Sequence, residues 1–429
     1  MHFTQTVMIL IVKFPYGKSL FEMDLPSDRL LVVEPYKIEP CADEIKEVKK
    51  SLQNPIGTKR LRDLVSKDKK ICIIVSDYTR AVSNLTMILP IISELGKAGC
   101  KTEKITIVVA NGLHQPASKS RVKESLGKSI LEKAKIVSHD AEEENQLTYL
   151  GKTSLGTHVW LNRSLIESDF TIATGLIEPH FFAGYSGGRK SVLPGVAGKE
   201  SIFQNHSFAM IAHPNSRYGI LDGNLIHEDM VEASKLVGLD YIVNVVAHRG
   251  RIVKAFSGNP YEAHEKGVKF LDGIVKVKVP VKADIAIVSN GGYPLDRDLY
   301  QAVKGMATGE LVVKKGGVIL LLSECIDGIG RGHESFYRIM AEAKTPDQVL
   351  EKIKREEPIK DQWEAQILAR VLKIAKIIVV TKNVKHDLIE DMHMIPASSV
   401  EEALALSHKL TCEGSKIVAV PDGPYVIPY

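Results

Sequence analysis

A glycine-rich segment at residues 177–195 contains a histidine and a lysine, residue types that move protons and bind anionic groups. The segment follows the apolar run of residues 170–176, which predicts a buried strand. Histidine exchanges a proton near neutral pH, so His180 is a candidate acid or base. Lys190 can pair with a phosphate or form a covalent bond. Glycine-rich turns also serve packing alone, so the functional interpretation depends on similar residues after other predicted strands.

Two earlier segments place polar side chains at the same end of predicted strands. Asp77 and Arg80 follow the strand predicted at 70–76, and arginine is suited to bidentate capture of a carboxylate or phosphate. His114 follows the strand predicted at 105–110, where Asn-Gly makes a tight turn. Each segment alone is also consistent with a helix cap or a surface ion pair. Together they predict a ligand site at the carboxyl ends of parallel strands.

A fourth segment lies in the second half of the chain. Tyr300, Gln301 and Lys304 fall within about one helical turn and therefore share a helix face. Such a face is ordinarily half-exposed, but it would form an interdomain lid if it faced a site in the first domain. Trp363 is one of only two tryptophans, and a tryptophan more commonly serves core or interface packing.

His206 lies on a helix predicted at residues 200–212, where a lone histidine is more often structural than a ligand. The sequence contains no His-Glu-x-x-His zinc helix, because His227-Glu228 has no second histidine at that spacing. The other histidines considered match no ligand spacing, and we expect structural or surface roles for them: His213, His227, His248, His264, His333, His386, His393 and His408.

The end of the glycine-rich segment also invites comparison with a phosphate-binding loop. That motif needs adjacent Gly-Lys with an earlier glycine at a fixed distance, and here Arg189 intervenes. The strict motif therefore fails. A phosphotransferase that uses the segment around Lys190 remains an alternative, and it predicts dependence on ATP or Mg²⁺.

Composition limits the classes of protein that this chain can represent. Its 429 residues are 44% hydrophobic and 25% charged, which is typical of a soluble globular protein with two domains. The net charge of +4 is spread along the chain without a basic stripe, which argues against a nucleic-acid partner. Five scattered cysteines without a Cys-x-x-Cys pair favour a reducing cytoplasm and argue against an all-protein zinc or iron–sulfur site. We see neither a signal peptide nor a membrane-spanning run.

Strand and helix patterns alternate along most of the chain, which predicts an α/β protein with mainly parallel sheets flanked by helices. Val and Lys alternate at residues 275–279, and the pattern restarts beyond them. We therefore predict an N-terminal domain at 1–275 that binds cofactor and carries catalysis. A C-terminal α/β domain at 276–429 would close the site, with the active site in the interdomain cleft. The last strand or tail could return to the N-terminal domain.

Four motifs together resemble the nickel-dependent lactate racemase family over nearly the whole chain. They are Ser-Asp-x-Thr-Arg from residue 76, Ala-Asn-Gly-x-His-x-Pro from residue 110, Glu-Pro-His-Phe-Phe-Ala-Gly-Tyr-Ser-Gly-Gly-x-Lys from residue 178, and Gln-x-x-Lys from residue 301. The third motif is highly specific, and the others are strong in combination. The resemblance implies a racemase or epimerase of a 2-hydroxy acid, such as lactate.

By this resemblance the cofactor is a nickel-pincer nucleotide, pyridinium-3,5-bisthiocarboxylic acid mononucleotide with nickel, attached to Lys190 through a thioamide. The resemblance implies that His206 ligates the nickel and that His114 and His180 are the acid–base pair. It places the remaining predicted site residues near cofactor or substrate. The predicted cofactor contacts are Lys190, Asp77, Gly187, Gly188 and Trp363, and the predicted substrate contacts are Arg80, Tyr300, Gln301 and Lys304.

The implied reaction moves a hydride to the cofactor and leaves a flat 2-keto acid, which can be reduced on either face. One histidine on each side of the substrate is then required as base and acid. The expected partners are the small hydroxy acid and the proteins that synthesise the cofactor, with no nucleic acid and no membrane. A non-catalytic cofactor carrier is a further alternative, since it would load cofactor without exchanging a stereocentre.

Overall fold

The computed structural model describes residues 8–77, 82–114, 116, 120, 122, 126–127, 130 and 133–429. The chain divides into two compact units. One unit, here called the terminal unit, combines the described residues up to Tyr36 with Val275–Tyr429. The other, the middle unit, spans Lys37–Ile274. Among the described residues, no helix is both long and apolar enough to cross a membrane.

The strands are mostly four to eight residues long, as expected for a sheet inside a globular domain. In chain order they are β1 Ile9–Tyr16, β2 Ser19–Pro26, β3 Leu30–Val32, β4 Ile71–Ser76, β5 Ile105–Ala110, β6 Lys135–Ser138, β7 Leu147–Lys152, β8 His158–Asn162, β9 Phe170–Leu176, β10 Pro179–His180, β11 Gly184–Tyr185, β12 Tyr241–His248, β13 Arg251–Gly258, β14 Lys276–Val277, β15 Ala283–Ser289, β16 Val313–Leu322, β17 Lys376–Val380, β18 Ile395–Ala397, β19 Ile417–Val420 and β20 Ile427–Pro428.

Several helices begin at a side chain that caps their first amides, such as Asp298, which accepts from the amide of Gln301. In chain order the α-helices are α1 Glu44–Gln53, α2 Leu61–Leu64, α3 Asn84–Lys97, α4 Arg163–Ile166, α5 Lys199–Asn205, α6 Phe208–Ala212, α7 Leu225–Leu236, α8 Pro260–Val275, α9 Leu299–Val312, α10 Glu334–Ala341, α11 Pro346–Arg355, α12 Gln362–Leu372, α13 His386–Asp391 and α14 Val400–Leu410.

The middle unit contains a six-stranded sheet in the order β13-β12-β9-β4-β5-β6. The β13–β12 pair is antiparallel, and the other pairs are parallel. The central strands β4 and β9 are apolar along most of their length and nearly fully buried, which is typical of parallel strands covered on both faces. The continuous apolar runs at 70–76, 105–110 and 170–176 therefore identify these strands correctly.

The terminal unit contains a second six-stranded sheet, in the order β18-β17-β16-β15-β19-β3, and all of its pairs are parallel. The edge strand β3 comes from the start of the described chain and pairs with β19. The structure thus confirms the predicted α/β class with parallel-dominated sheets flanked by helices. The predicted position of the active site in an interdomain cleft stays a prediction.

The chain divides near residue 275, as the Val-Lys alternation suggests, but the described residues up to Tyr36 do not group with the predicted 1–275 domain. The physical reason is the pairing of β3 with β19, which joins the early chain to the second sheet. The tail also stays with that unit, since β20 pairs with β14.

Two predicted helices differ from the structure. The charged, amphipathic pattern of residues 58–66 predicts a helix there, but the structure has only a short helix at Leu61–Leu64. The helix expected at 200–212 is interrupted, because one helix ends at Asn205 and the next begins at Phe208. The helix expected across 117–134 lies largely outside the described residues.

Candidate active site

Three neighbouring strands bring predicted site segments to one edge of the middle-unit sheet. β9, β4 and β5 lie side by side. Asp77 directly follows β4, His114 lies shortly after β5, and His180 and Lys190 follow β9. In the sheet, β5 lies on one side of β4 and β9 lies on the other, although both follow β4 in the chain. The strand order therefore reverses between β4 and β9. Open parallel sheets bind ligands at such a reversal, beyond the carboxyl ends of the strands.

A carboxylate orients the first predicted acid–base residue. Asp77 is buried, and its Oδ2 lies 2.8 Å from Nδ1 of the half-exposed His114. An imidazole that donates through Nδ1 keeps Nε2 as the nitrogen that exchanges a proton. The backbone supports this geometry, because the amide of His114 donates to Asn111 O at 2.9 Å. Asp77 thus orients His114. The predicted contact of Asp77 with cofactor stays a prediction. The predicted substrate contact Arg80 lies outside the described residues.

A short hairpin carries the second predicted acid–base residue. His180 pairs with Gly184 across β10 and β11. Gly184 has φ +75°, and a side chain there would collide with the carbonyl oxygen of Ile220. Within the hairpin, the amide of Ala183 donates to His180 Nδ1 at 3.3 Å. The other ring nitrogen, Nε2, lies 3.1 Å from Nζ of Lys190.

The ring of Phe182 joins three predicted site residues into one group. Its centroid lies 4.5 Å from that of His180 and 5.1 Å from that of His206, both in edge-on geometry. Nζ of Lys190 lies 5.6 Å from the centroid of the same ring. We call His180, Phe182, Lys190 and His206 the Phe182 cluster. Our sequence reasoning missed Phe182, although it sits only two residues beyond His180 in the most specific motif.

His206 lies in the break between α5 and α6 and is 4% exposed. Its amide donates to Ile202 O at 2.8 Å, which makes it the cap of α5. Burial, with a smaller contribution from the charge of Lys190, lowers the pKa of His206 to about 3. The imidazole is therefore neutral near neutral pH, and neutral imidazole is the form that ligates metals.

A buried carboxylate fixes the helix end that precedes His206. Asn205 Nδ2 donates to Asp229 Oδ2 at 2.7 Å. The hydroxyls of Thr153 and Thr157 donate to the two oxygens of the same carboxylate at 2.5 and 2.9 Å. Asp229 thus ties α5 and α7 to the loop between β7 and β8. Nothing in the residue spacing pointed to this network.

Arg189 braces the glycine-rich segment from within the protein. It is 3% exposed, and its guanidinium donates to Ala183 O at 2.9 Å and to Gly187 O at 3.2 Å. Its Nη1 also lies 3.1 Å from His264 Nε2. Burial lowers the pKa of Arg189 to about 9. The next residue, Lys190, contacts different groups, His180 and Phe182.

The predicted cofactor contacts Gly187 and Gly188 face protein atoms. Both have positive φ, of 80° and 54°. A side chain at Gly187 would lie 2.8 Å from Asn244 Oδ1, and one at Gly188 would lie 3.0 Å from the ring of His264. The amide of Gly188 donates to Asn244 Oδ1 at 2.7 Å. This packing accounts for both glycines and differs from a loop whose amides cradle a phosphate.

Backbone hydrogen bonds connect the His114 loop with the Lys190 segment. The amide of Gly112 donates to Gly195 O at 3.0 Å. The amide of Gly195 in turn donates to Lys190 O at 3.1 Å. Both predicted acid–base residues are therefore tied by short hydrogen-bonded routes to the same lysine.

The four predicted residues of the terminal unit also come together. The indole of Trp363 donates to the hydroxyl of Tyr300 at 2.9 Å. Nζ of Lys304 donates to Gln301 Oε1 at 2.6 Å. His333, for which we expected a structural or surface role, stacks its ring on Tyr300 with centroids 3.7 Å apart and planes 10° from parallel.

His333 is held in turn by an aspartate, since its Nδ1 lies 3.0 Å from Asp361 Oδ1. Asp361 has a left-handed backbone, with φ 70°, which no residue spacing foretold. We call Tyr300, Lys304, His333, Asp361 and Trp363 the Tyr300 cluster.

Buried carboxyl groups surround the Tyr300 cluster. Burial raises the pKa of Glu364 well above its usual value, although the charge of Lys304 opposes the rise. Burial likewise raises the pKa of Asp298. Burial is also the main reason that the pKa of Tyr300 is raised well above its usual value, with the nearby charges of Glu364 and Asp361 adding to it. The cluster therefore places a lysine among acids, with an aromatic stack beside it.

Comparison with known proteins identifies the family. The family model described as the lactate racemase N-terminal domain matches residues 16–219, and the one described as the lactate racemase C-terminal domain matches residues 278–427. A lactate racemase from Thermoanaerobacterium thermosaccharolyticum is 42% identical over 425 residues, which cover 97% of this chain and 98% of that protein. The chain belongs to the lactate racemase family.

Two further comparisons agree with this assignment to the lactate racemase family. A lactate racemase from Lactiplantibacillus plantarum is 36% identical over 98% of this chain and 100% of its own length. The solved lactate racemase apoprotein from T. thermosaccharolyticum superposes with a TM-score of 0.92 and 41% identity, and the match covers 98% of this chain and 100% of that one. A solved protein from Thermotoga maritima shares the fold alone, at 17% identity and a TM-score of 0.67.

For this member of the lactate racemase family, the structure gathers most of the predicted site residues. His180, Lys190 and His206 meet around Phe182, and His114 is held by Asp77. Of the predicted residues of the terminal unit, Tyr300, Lys304 and Trp363 belong to the Tyr300 cluster, and Gln301 accepts a hydrogen bond from Lys304. The family resemblance is confirmed, and the individual roles of these residues stay predictions.

Proposed function

We propose that this protein interconverts the two enantiomers of lactate or of a closely related 2-hydroxy acid. The observation that carries the proposal is its 42% identity with a lactate racemase over 97% of the chain. Racemisation needs a proton acceptor on each side of the stereocentre, and two positioned imidazoles meet that need. His114 and His180 are both held by defined hydrogen bonds, which supports this assignment.

The proposed route passes through a flat 2-keto acid, because removal of the α-proton would leave a poorly stabilised carbanion. A nickel-pincer nucleotide, when bound, supplies the hydride acceptor that such a route requires. His114 takes the hydroxyl proton of one enantiomer at Nε2, and His180 takes that of the other. When one enantiomer is converted into the other, the imidazole on the first side accepts the hydroxyl proton and the imidazole on the second side donates a proton to the new hydroxyl. The two histidines therefore exchange protonation states, and the reverse conversion or proton exchange with water restores them.

The described residues fit such a cofactor by their chemistry. His206 supplies a buried, neutral imidazole donor, and Lys190 supplies a half-buried amine beside the same aromatic ring. The described residues hold no group of three His, Cys, Asp or Glu side chains that could bind a metal. A nickel ion at His206 would therefore need further donors, and the carbon and sulfur donors of a pincer nucleotide are of that kind.

The test is to produce the protein together with the cofactor-synthesis proteins and nickel, then to combine mass analysis with a chiral assay. We expect an adduct on Lys190 and conversion of either pure lactate enantiomer towards a one-to-one mixture. A panel of other 2-hydroxy acids defines the substrate. Loaded protein that leaves the stereocentre of every acid in the panel unchanged would contradict the proposal.

Other expectations remain predictions beside this proposal. They are the substrate contacts of Arg80, Tyr300, Gln301 and Lys304, the contact of Trp363 with cofactor, the cytoplasmic location and the dependence on cofactor-synthesis proteins. No hydrogen bond in the described structure favours the phosphotransferase alternative, since the amide of Gly188 is already bonded to Asn244.

A further inference from the structure

We propose that His333 and Asp361 are positioning residues that fix the ring of Tyr300 and, with it, the direction in which the Tyr300 hydroxyl donates to the substrate. The inference rests on the proposed function in taking Tyr300 as a substrate contact. None of the four motifs that carry the family resemblance includes His333 or Asp361.

Three contacts restrict the side chain of Tyr300. The imidazole of His333 stacks over its ring, with centroids 3.7 Å apart and planes 10° from parallel. The ring of Phe336 meets it nearly at a right angle, at 5.6 Å and 87°. The indole of Trp363 donates to the hydroxyl oxygen at 2.9 Å. Since an indole N–H donates and never accepts, the hydroxyl hydrogen of Tyr300 is directed at another group.

Two kinds of hydrogen bond hold His333 in the stack. Its Nδ1 lies 3.0 Å from Oδ1 of Asp361, and since a carboxylate only accepts, we assign the proton to Nδ1. The loop before His333 is also fastened to the helix that carries Tyr300, because the amide of Tyr300 donates to Ile329 O at 3.0 Å. The stack is therefore built by the protein's own contacts.

Asp361 connects the two groups that bear on Tyr300. Its side chain bonds to His333, and its carbonyl oxygen accepts from the amide of Glu364 at 3.1 Å in the first turn of α12. Trp363 lies in the same turn. Asp361 is buried and has φ 70°, a backbone conformation that residues other than glycine seldom adopt. Such a conformation persists where its surroundings fix it, which suits a residue that sets geometry.

A fixed ring lowers the cost of binding, because a hydroxyl that is already aimed loses little freedom when the substrate arrives. Without His333 the ring of Tyr300 can tilt, so we expect weaker substrate binding and a higher KM. The predicted acid–base residues His114 and His180 are unchanged, so kcat should hardly move. General destabilisation has a different signature, since it lowers the fraction of active protein and thus the apparent kcat, while KM stays the same.

The first experiment measures kcat and KM of the loaded full chain with its best substrate from the acid panel. His333→Ala should raise KM about tenfold, the size of one aromatic contact in a fixed site, with kcat within about twofold of wild type. His333→Phe restores a ring without the bond to Asp361 and should recover part of this loss. Asp361→Gly removes the carboxylate but permits the left-handed backbone, and it should raise KM about fivefold.

His393→Gly is the matched control for Asp361→Gly. His393 also has a left-handed backbone, with φ 64°, and its side chain also makes a hydrogen bond within the terminal unit. That bond goes to Met340 O, at 3.1 Å, rather than to a residue of the Tyr300 cluster. Its KM should stay within about twofold of wild type. A lower kcat with unchanged KM in His333→Ala and Asp361→Gly would overturn the inference.

A double-mutant cycle tests whether His333 acts through Tyr300. Tyr300→Phe keeps a ring under the imidazole and removes the hydroxyl. In that background His333→Ala should change KM by less than about twofold, because no hydroxyl is left to position. If the effects of the two substitutions on KM multiplied in full, His333 would act by another route and the inference would be wrong.

A measurement without cofactor tests the fixed ring directly. The chain has two tryptophans, so isotope-labelled tryptophan gives two indole N–H signals, and Trp160→Phe identifies that of Trp363. In His333→Ala the indole hydrogen of Trp363 should exchange with solvent about tenfold faster, because its acceptor oxygen is no longer held in place. Backbone amides of β16 should exchange at the wild-type rate. Unchanged indole exchange, or equal acceleration in β16, would overturn the inference.

The inference and the proposed function fail separately. Faster indole exchange in a protein that, when loaded, racemises no acid of the panel would reject the proposed function and retain the assignment of His333 to the Tyr300 ring. Racemisation with wild-type KM in His333→Ala and Asp361→Gly would do the reverse.

Discussion

Lys190 and Lys304 stand in opposite chemical surroundings. In the Phe182 cluster, Lys190 meets an imidazole and an aromatic ring. In the Tyr300 cluster, Lys304 donates a hydrogen bond to Gln301. Its charge opposes the rise in the pKa of the buried acids Asp298 and Glu364. The first environment offers the amine an imidazole and an aromatic face, and the second places it beside an amide and among buried carboxyl groups. The same side chain type thus lies in two different kinds of polar surroundings in the two units.

The stability of the two units should change in opposite directions as the pH falls. In the middle unit, burial lowers the pKa of His139 to about 4 and those of His206 and His264 to about 3. These imidazoles are neutral in the folded unit, and they gain protons near pH 6.5 once it unfolds. The unfolded state then binds more protons, so stability falls as the pH falls below that value. In the terminal unit the raised pKa values of Asp298 and Glu364 have the reverse effect, because the folded state keeps their protons.

Between pH 7 and pH 5 we expect a loss of about 2 kcal/mol per buried imidazole from the middle unit. Hydrogen–deuterium exchange, corrected for the intrinsic pH effect, reads the two units separately. Protection should fall more in peptides of Lys37–Ile274 than in those of the terminal unit. Equal loss of exchange protection in both units would contradict the predicted difference between them.

The next largest effect concerns activity in the middle unit. His114→Ala should lower kcat/KM of the loaded protein by about 10³-fold, since a general acid–base contributes about 10²- to 10⁴-fold. The adduct on Lys190 should persist, because the hydrogen bonds of His114 go to Asp77 and Asn111. His386→Ala, an exposed histidine of the terminal unit, is the matched control and should retain full activity. Activity of His114→Ala within about tenfold of wild type would contradict the assignment.

The smallest predicted effect tests the protonation state of an acid near Lys304. Burial raises the pKa of Glu364 well above its usual value, and we expect its carboxyl to be protonated in the folded protein. Glu364→Gln should therefore change the free energy of unfolding by less than about 1 kcal/mol. Glu310→Gln is the contrasting variant, because Glu310 forms a two-point ion pair with Arg370 at 3.0 and 2.7 Å.

Denaturant unfolding compares the two variants at pH 7, and Glu310→Gln should cost about 2 kcal/mol. A larger loss in Glu364→Gln than in Glu310→Gln would show that Glu364 is ionised in the folded protein.

Local patterns in the sequence predicted the fold best where burial alone decides the structure. The apolar runs that end at Ser76, Ala110 and Leu176 are central strands, and parallel strands place their following residues at one edge. This reasoning predicted that Asp77 and His114 lie at the same edge of the sheet, but it did not predict their contact. It could not show the break at His206, because the residues around it have helical propensity and the interruption depends on packing.

Contacts between distant segments were the part that the sequence did not reveal. His333 stacks on Tyr300 only because two separate loops meet at the start of α9. The left-handed backbone of Asp361 likewise depends on its tertiary surroundings. The pairing of β3 with β19 moved the early residues into the terminal unit for the same reason. Such contacts produce no hydrophobic periodicity in the sequence.

The β3–β19 pairing also affects how the chain is made. A ribosome releases Leu30–Val32 long before Ile417–Val420. The middle unit can fold as soon as residue 274 has emerged, because all of its sheet is already present. The early strand must instead wait as an open hydrogen-bonding edge until its partner is synthesised, which exposes it to association with other chains. Premature termination just before residue 417 would therefore leave a finished middle unit attached to an aggregation-prone remainder.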